Sequence, residues 1–405
     1  MFCTRGGTRT TNPSSTTWRR LVAGARGTSG PAAVLCVSML APHSALAELT
    51  YEGEQGSLTF QGDVELDISA YNAQSSESGS LFLGGDIDHD DRYDQTGRVL
   101  LDVSGDRVGD GYRAHFKVQP LLGTNGLPWV DDAWLAISNQ EGSEIKVGRF
   151  EAFDLFPLGQ DVFVEMNGDT SNSLYRDGQG YVYQAKEGRG RGSSAGQLLL
   201  SHESGDLYAE VSTLIGDRSS FFDTDTYHGF SIADDTKNSA IVRPVIAWTP
   251  GSWTMAVGAE TNLISDAVVD ERGEDIGDRT GYAYRLSYSA GELQVNLNLA
   301  YLDAYKETDA TFGLNTVWHN VGLGYIHARN EIEEANPSAV DEDFTPEGTY
   351  RSHTFYTSYR FAEVLGIQGF DTYLGAFYSS MSNSEVDDMS DEDRYGARLR
   401  LKFFF

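Results

Sequence analysis

Residues 291–301 read GELQVNLNLAY. Leu293, Val295, Leu297, Leu299 and Tyr301 share one face of an extended chain, and Gln294, Asn296, Asn298 and Ala300 share the other. A helix would scatter these apolar residues around its axis, so the period of two predicts a strand with one apolar and one polar side. The same alternation is readable at 57–73, 96–108, 111–120, 130–139, 142–152, 196–204, 206–216, 239–249, 252–264, 281–290, 292–304, 319–330, 349–362, 371–382 and 393–405. Strands this long and this numerous predict an all-β chain.

The turns sort into two kinds. GD (105–106 and 205–206), NQEG (139–142), TPGS (249–252) and SAGE (289–292) are tight and polar. The connections 74–95, 153–195, 217–238, 265–280, 331–348 and 383–392 are long and mostly acidic. Tight turns on one side and long loops on the other predict a transmembrane antiparallel β-barrel of the bacterial outer membrane. Nothing in 48–405 approaches the run of about 18 apolar residues that a membrane helix needs. Closure with both termini on one side requires an even strand number. One further strand is therefore expected in 305–318 or 180–188, for about sixteen in all, with eighteen as the alternative.

The chain ends on RYGARLRLKFFF (394–405). Its apolar face, Tyr395, Ala397, Leu399, Leu401, Phe403 and Phe405, fits lipid, and Arg398, Arg400 and Lys402 fit a wet lumen. In a closed barrel this strand pairs with the first, where Asp63, Glu65 and Asp67 alternate with Val64, Leu66 and Ile68. By the same parity Arg98, Arg113, Lys117, Arg243, Arg285 and Arg360 point inward. Trp248, Trp253, Tyr282, Tyr284, Tyr288, Tyr301, Tyr359 and Phe361 lie on apolar faces, mostly near strand ends, as an interfacial girdle requires.

Residues 1–47 have the marks of an export signal. Arg19 and Arg20 supply charge, PAAVLCVSML (31–40) an apolar core and Ala45-Leu46-Ala47 a cleavage site, leaving 48–405 as the barrel domain. Both cysteines, Cys3 and Cys36, fall in this leader, which excludes a disulfide framework from the rest. The leader holds five arginines and no acid, so 48–405 carries −35 against −30 for the whole chain. That charge repels nucleic acid.

Catalytic and metal chemistry find little support. His202 and Ser204 fall at a tight turn, and neither G-x-S-x-G nor H-E-x-x-H occurs. DIDHDDRYD (86–94) offers Asp86, Asp88 and Asp90, but Asp91 stands where a calcium loop needs Gly and Gly97 where it needs a bidentate Glu. No enzyme activity, cofactor or metal is expected.

The leader, the alternating strands, the terminal Phe405 and the long loop after the fifth strand resemble the trimeric porins of the Gram-negative outer membrane. VGRFEAFDLFPLGQD (147–161), VQPLLGT (118–124) and VDDAWLAI (130–137) are similar to the raffinose-type sugar porins, the glycoporins. The resemblance implies a homotrimer in outer-membrane lipid whose third loop folds into the pore, and passive diffusion of small hydrophilic solutes, sugars or oligosaccharides. A general diffusion porin with ionic preference and no sugar site is the alternative. Glu151, Asp154, Asp161, Glu165 and Asp169 would form the loop side of the constriction, facing Arg113, Lys117, Arg398 and Arg400 on the wall. Parity turns Trp134, Tyr208, Tyr356 and Tyr378 inward as sugar-stacking candidates, with Trp129 at a loop mouth. Phe405 resembles the signal read by the barrel assembly machinery.

Overall fold

The computed structural model describes residues 48–72, 92–163, 174–177, 180–186, 196–233, 237–336, 347–383 and 392–405. Sixteen antiparallel strands form one closed sheet: β1 Gly56–Tyr71, β2 Arg92–Val108, β3 Tyr112–Gly123, β4 Pro128–Asn139, β5 Ser143–Arg149, β6 Gly196–Ser204, β7 Leu207–Gly216, β8 Ser239–Trp248, β9 Trp253–Asn262, β10 Arg279–Ala290, β11 Leu293–Ala304, β12 Glu307–Trp318, β13 Val321–Ile332, β14 Gly348–Phe361, β15 Phe370–Asn383 and β16 Glu392–Phe404. Each pairs with the next, and β16 closes on β1. A short strand, Leu49–Gly53, folds back on β1 from Gly56 to Phe60 and covers the edge that β16 leaves beyond Phe405.

The strand expected in 305–318 or 180–188 is present, and one turn lies elsewhere than the sequence reading put it. The missing strand is β12, while 180–186 is irregular. Gly105 and Asp106 lie inside β2, and the turn falls later, at Gly109–Gly111, where Gly111 has a φ of 81°. The acidic loop at 86–91 and the acids Glu165 and Asp169 lie outside the described residues.

The side-chain distribution is inverted relative to a water-soluble protein. Leu198, Ile246, Val257, Leu299, Leu323 and Leu374 are exposed on the outer wall, where hydrocarbon replaces water as the surrounding solvent. Trp248, Trp253, Trp318, Tyr359 and Phe361 ring the short-turn end, and Tyr282 and Tyr301 the other. The lumen holds the hydrophobic core. Leu155, Phe156, Val162, Phe163, Tyr175, Tyr183, Phe221, Phe222 and Tyr227 all come from loops and are buried inside the barrel.

Candidate functional site: the luminal constriction

Closure aligns the terminal charges. Arg400 lies opposite Asp67, Lys402 opposite Glu65 and Phe404 opposite Asp63. Outward Val64, Leu66, Leu401 and Phe403 pin this register, because a one-residue slip would drive the charges into lipid. Phe405 exchanges backbone hydrogen bonds with Gly62, N to O at 2.9 Å and the reverse at 2.8 Å. Its ring rests beside Gly62, where a Cβ would approach it within 3 Å.

From β5 the chain turns into the barrel and follows the inner wall. Its carbonyls are met one after another by wall donors: Arg243 Nη2 donates to Phe153 O at 2.8 Å and Arg285 Nη1 to Asp154 O at 2.7 Å. Asn298 and Asn315 both donate to Pro157 O, at 2.8 and 2.7 Å, and Tyr356 Oη donates to Leu158 O at 2.8 Å. Ser358 Oγ reaches Gln160 O at 2.7 Å. Buried backbone polar groups must be satisfied, and this wall does it without regular secondary structure. The apolar side chains dock into sockets made by inward glycines. A Cβ at Gly258 would collide with Leu155, and one at Gly313 with Phe156. Phe163 packs edge-on against Phe377, ring centroids 5.3 Å apart.

A second stretch, 180–186, lies on the wall as well. Asn330 brackets Tyr181, accepting from its N at 3.3 Å and donating to its O at 2.7 Å. Arg243 Nε donates to Ala185 O at 3.0 Å, and Lys186 Nζ stands 3.8 Å from Asp154. Partial desolvation against the wall would alone raise the Asp154 pKa, but Lys186 and Arg285 outweigh that and hold it below the usual carboxylate range. These layers cover the lumen from β6 to β15. A cavity of about 640 Å³ remains along β1 to β4, lined by Glu65, Asp67, Arg98, Gln95, Asn125 and Trp129 among others.

This open side carries an ionic strip. The Arg400 guanidinium grips Asp67 through two bonds, Nε to Oδ1 at 2.8 Å and Nη2 to Oδ2 at 2.7 Å. Its Nη1 reaches Asp161 of the loop at 2.7 Å, and Nη2 lies 3.1 Å from Glu65. Arg398 adds a contact to Asp161 at 3.5 Å and donates to Val162 O at 3.0 Å. Burial pushes the Asp161 carboxyl up, and Arg400 and Arg398 only partly offset it. Lys402 pairs with Glu65 at 3.1 Å, Arg98 lies 3.6 Å from Glu65, and Lys117 stands between Asp102 and Asp132 at 3.5 and 3.4 Å. Opposed charges in a narrow wet passage make a transverse field, which favours hydrated, dipolar solutes.

The sequence-derived residues meet only in part. Asp161, Arg398 and Arg400 converge, and Lys117 lies on the same open wall. Arg113 pairs with Asp106 at 3.2 Å near the short-turn end, away from the loop. Asp154 is built into the loop root, and Glu151 is exposed at the loop's start. Trp134 faces inward but is occupied: His115 meets it edge-on at 5.4 Å and Lys146 Nζ sits 4.7 Å over it. Tyr208 stacks on Phe153 at 5.7 Å and donates to Glu210 at 2.7 Å. Tyr356 is 6% exposed beneath the loop, leaving no face for a solute. Tyr378 points outward. It is 41% exposed, lies opposite outward Tyr395 and donates to Asp393 at 2.6 Å.

Trp129 is the aromatic that parity misses. Between Val118 and Pro120 the partner on β4 jumps from Ala133 to Val130, so β4 holds one extra residue. Pro120 has no N–H to lose at this bulge, and Arg149 Nε binds the Val130 and Asp131 carbonyls, each at 2.9 Å. The extra residue reverses the alternation, so Asp132 and Trp129 both face the lumen. The X-Pro inside an alternating segment, opposite an irregular V-D-D, is the signal that could have located it.

Comparison with known proteins agrees with this architecture. The profile of the family described as porin-like glycoporin RafY matches residues 60–405. OmpT, an outer membrane protein of Vibrio cholerae folded in vitro, superposes with a TM-score of 0.52 at 12% identity, covering 88% of this chain and 99% of its own. The high-pH structure of Pseudomonas putida OprB gives 0.53 at 12% identity, covering 86% and 94%. At these identities the likeness establishes the fold alone. A comparison with curated protein sequences returned no match. With the family matched from β1 to the terminal phenylalanine around a charged luminal passage, the chain belongs to the porin-like glycoporin RafY family and is a channel of the Gram-negative outer membrane.

Proposed function

We propose that the channel passes sugars or oligosaccharides by passive diffusion, and that Trp129 supplies the stacking surface. The observation that carries this reading is the placement of Trp129 in the wall of the same cavity as Glu65, Asp67 and Arg98. A pyranose ring offers an apolar face and a rim of hydroxyls, which an indole face and charged hydrogen-bonding groups complement. The family's description as glycoporin supports the class. Purified protein in planar bilayers is expected to conduct, with current blocked in a concentration-dependent way by raffinose or maltose-series sugars. Trp129→Ala is expected to weaken that block about 10-fold, as loss of one good aromatic contact does, with open conductance nearly unchanged. Current indifferent to every sugar would favour a general diffusion porin with ionic preference.

Three further elements complete the proposal. Residues 1–47 act as a cleaved export signal, and the barrel works as a homotrimer. OmpT of Vibrio cholerae has been solved in a trimer form, which supports that assembly. The barrel assembly machinery reads Phe405. Deleting Phe405 is expected to reduce membrane levels more than the conductance of molecules that insert; normal levels would remove that role.

A further inference from the structure

The outer wall of β13 and β14 departs from the apolar rule. Rising along the seam from the short-turn end, the facing pairs are Val321 with Tyr359, Leu323 with Thr357 and Tyr325 with Phe355. Up to there the face is apolar and aromatic. Next come His327 opposite His353 and then Arg329 opposite Arg351. These side chains lie on the outward parity, because Ile326, Ala328, Asn330, Ser352 and Thr354 between them are buried toward the lumen. The two imidazoles stack with centroids 4.5 Å apart.

Such an arrangement works against the barrel unless something answers it. Like groups directly opposite on neighbouring strands destabilise a sheet, and Arg on a lipid face is unfavourable unless it lies close to the interface. In a chain of −30 net charge, ample acids exist to neutralise the block, yet among the described residues only Arg329 has one, Glu331 at 2.8 Å. Among the described residues Arg351 makes no ion pair. His327 Nδ1 lies 2.9 Å from Ser352 O, and His353 Nδ1 lies 2.8 Å from Tyr325 Oη. A carbonyl can only accept, so His327 Nδ1 carries the proton. Ser380 and Ser382 of β15 stand opposite His353 and Arg351 and add hydroxyls to the rim. β13 leads into the long connection at 333–347 and β14 leaves it, so the block lies toward the outer leaflet.

We propose that this block is a binding site for the phosphate of an outer-leaflet lipid. Two guanidiniums side by side match phosphate geometry, since each can donate a fork of N–H groups to oxyanions. The aromatic pair Tyr325 and Phe355, ring centroids 4.7 Å apart, lies immediately below on the membrane side. It offers the acyl chains of the same molecule an apolar shelf. A free phosphate would use the guanidiniums but gain nothing from that shelf. The lipid is therefore the assigned source.

The test uses full-length protein in detergent micelles, titrated with bisphosphorylated lipid A and with the same lipid stripped of phosphate. The wild type is expected to bind the phosphorylated lipid at least about 10-fold more tightly, the equivalent of one charge-assisted hydrogen bond. The double variant Arg329→Gln, Arg351→Gln is expected to lose that difference, and the double Lys variant to retain part of it. Heat-modified gel mobility and bilayer conductance confirm that each variant is folded. Should the Gln pair fail to fold, the Lys pair and the two lipids still decide. Equal binding of the two lipids by the wild type overturns the proposal. So does displacement by millimolar inorganic phosphate, which would make this a free-anion site. Loss of self-association in the Gln variant with lipid binding unchanged would make the face a contact between copies, and also overturns it.

Discussion

Arg400→Ala is expected to raise the preference of the channel for cations over anions by about 10-fold at low ionic strength, measured as a reversal potential across a salt gradient. One guanidinium touches Asp67, Asp161 and Glu65 together. Removing it leaves three carboxylates facing one another across a passage that the loop has already narrowed. Their uncompensated negative charge draws mobile cations in place of the lost guanidinium. Arg400→Lys separates charge from geometry: it keeps the positive charge but loses the fork that binds Asp67 twice. Selectivity close to wild type is expected there, with a noisier open level as Asp161 is left mainly with its longer contact to Arg398. An unchanged reversal potential in Arg400→Ala would place this strip outside the conducting path.

Gly313→Leu is expected to release the loop and widen the channel. The Phe156 ring occupies the space a side chain at Gly313 would need, and Phe156 is completely buried. Displacing it forfeits a buried aromatic worth about 3–5 kcal/mol and disturbs the Asn298 and Asn315 bonds to Pro157 O beside it. The barrel ladder does not depend on that contact, so the strands persist while single-channel conductance rises and sugar block weakens. Tyr356→Phe is the matched mild change. It removes one hydrogen bond to Leu158 O, worth about 1 kcal/mol, and conductance is expected to stay near wild type. Wild-type conductance in Gly313→Leu would mean that the loop does not define the narrowest section.

Legibility varied along the chain with what each strand faces. In β11 one side meets lipid and the other polar groups, and GELQVNLNLAY shows it residue by residue. In β12 the outward side includes Thr308, Ala310 and Thr316, so the apolar stripe is thin, and the alternation left 305–318 as one of two candidates for the sixteenth strand. In β15 the inward side includes Phe377 and Met381, because the loop brings its own apolar residues inside. Both faces then look apolar and parity loses its reference, which is how Tyr378 was turned the wrong way.

The sequence by itself determined the barrel, its closure and the pairing of Asp63, Glu65 and Asp67 with the last strand's Lys402, Arg400 and Arg398 region. Those features follow from a local rule: every second residue must suit hydrocarbon, and every strand edge must find a partner. Only the tertiary structure decided which luminal side chains stay open to a solute. That depended on where fourteen residues of irregular chain, 150–163, settle on an inner wall formed by strands far away in sequence. Glycine sockets at 258 and 313 set the path, and the single extra residue in β4 turned Trp129 inward. Neither a socket nor a bulge leaves a periodic trace, because each is a match between distant segments rather than a property of one.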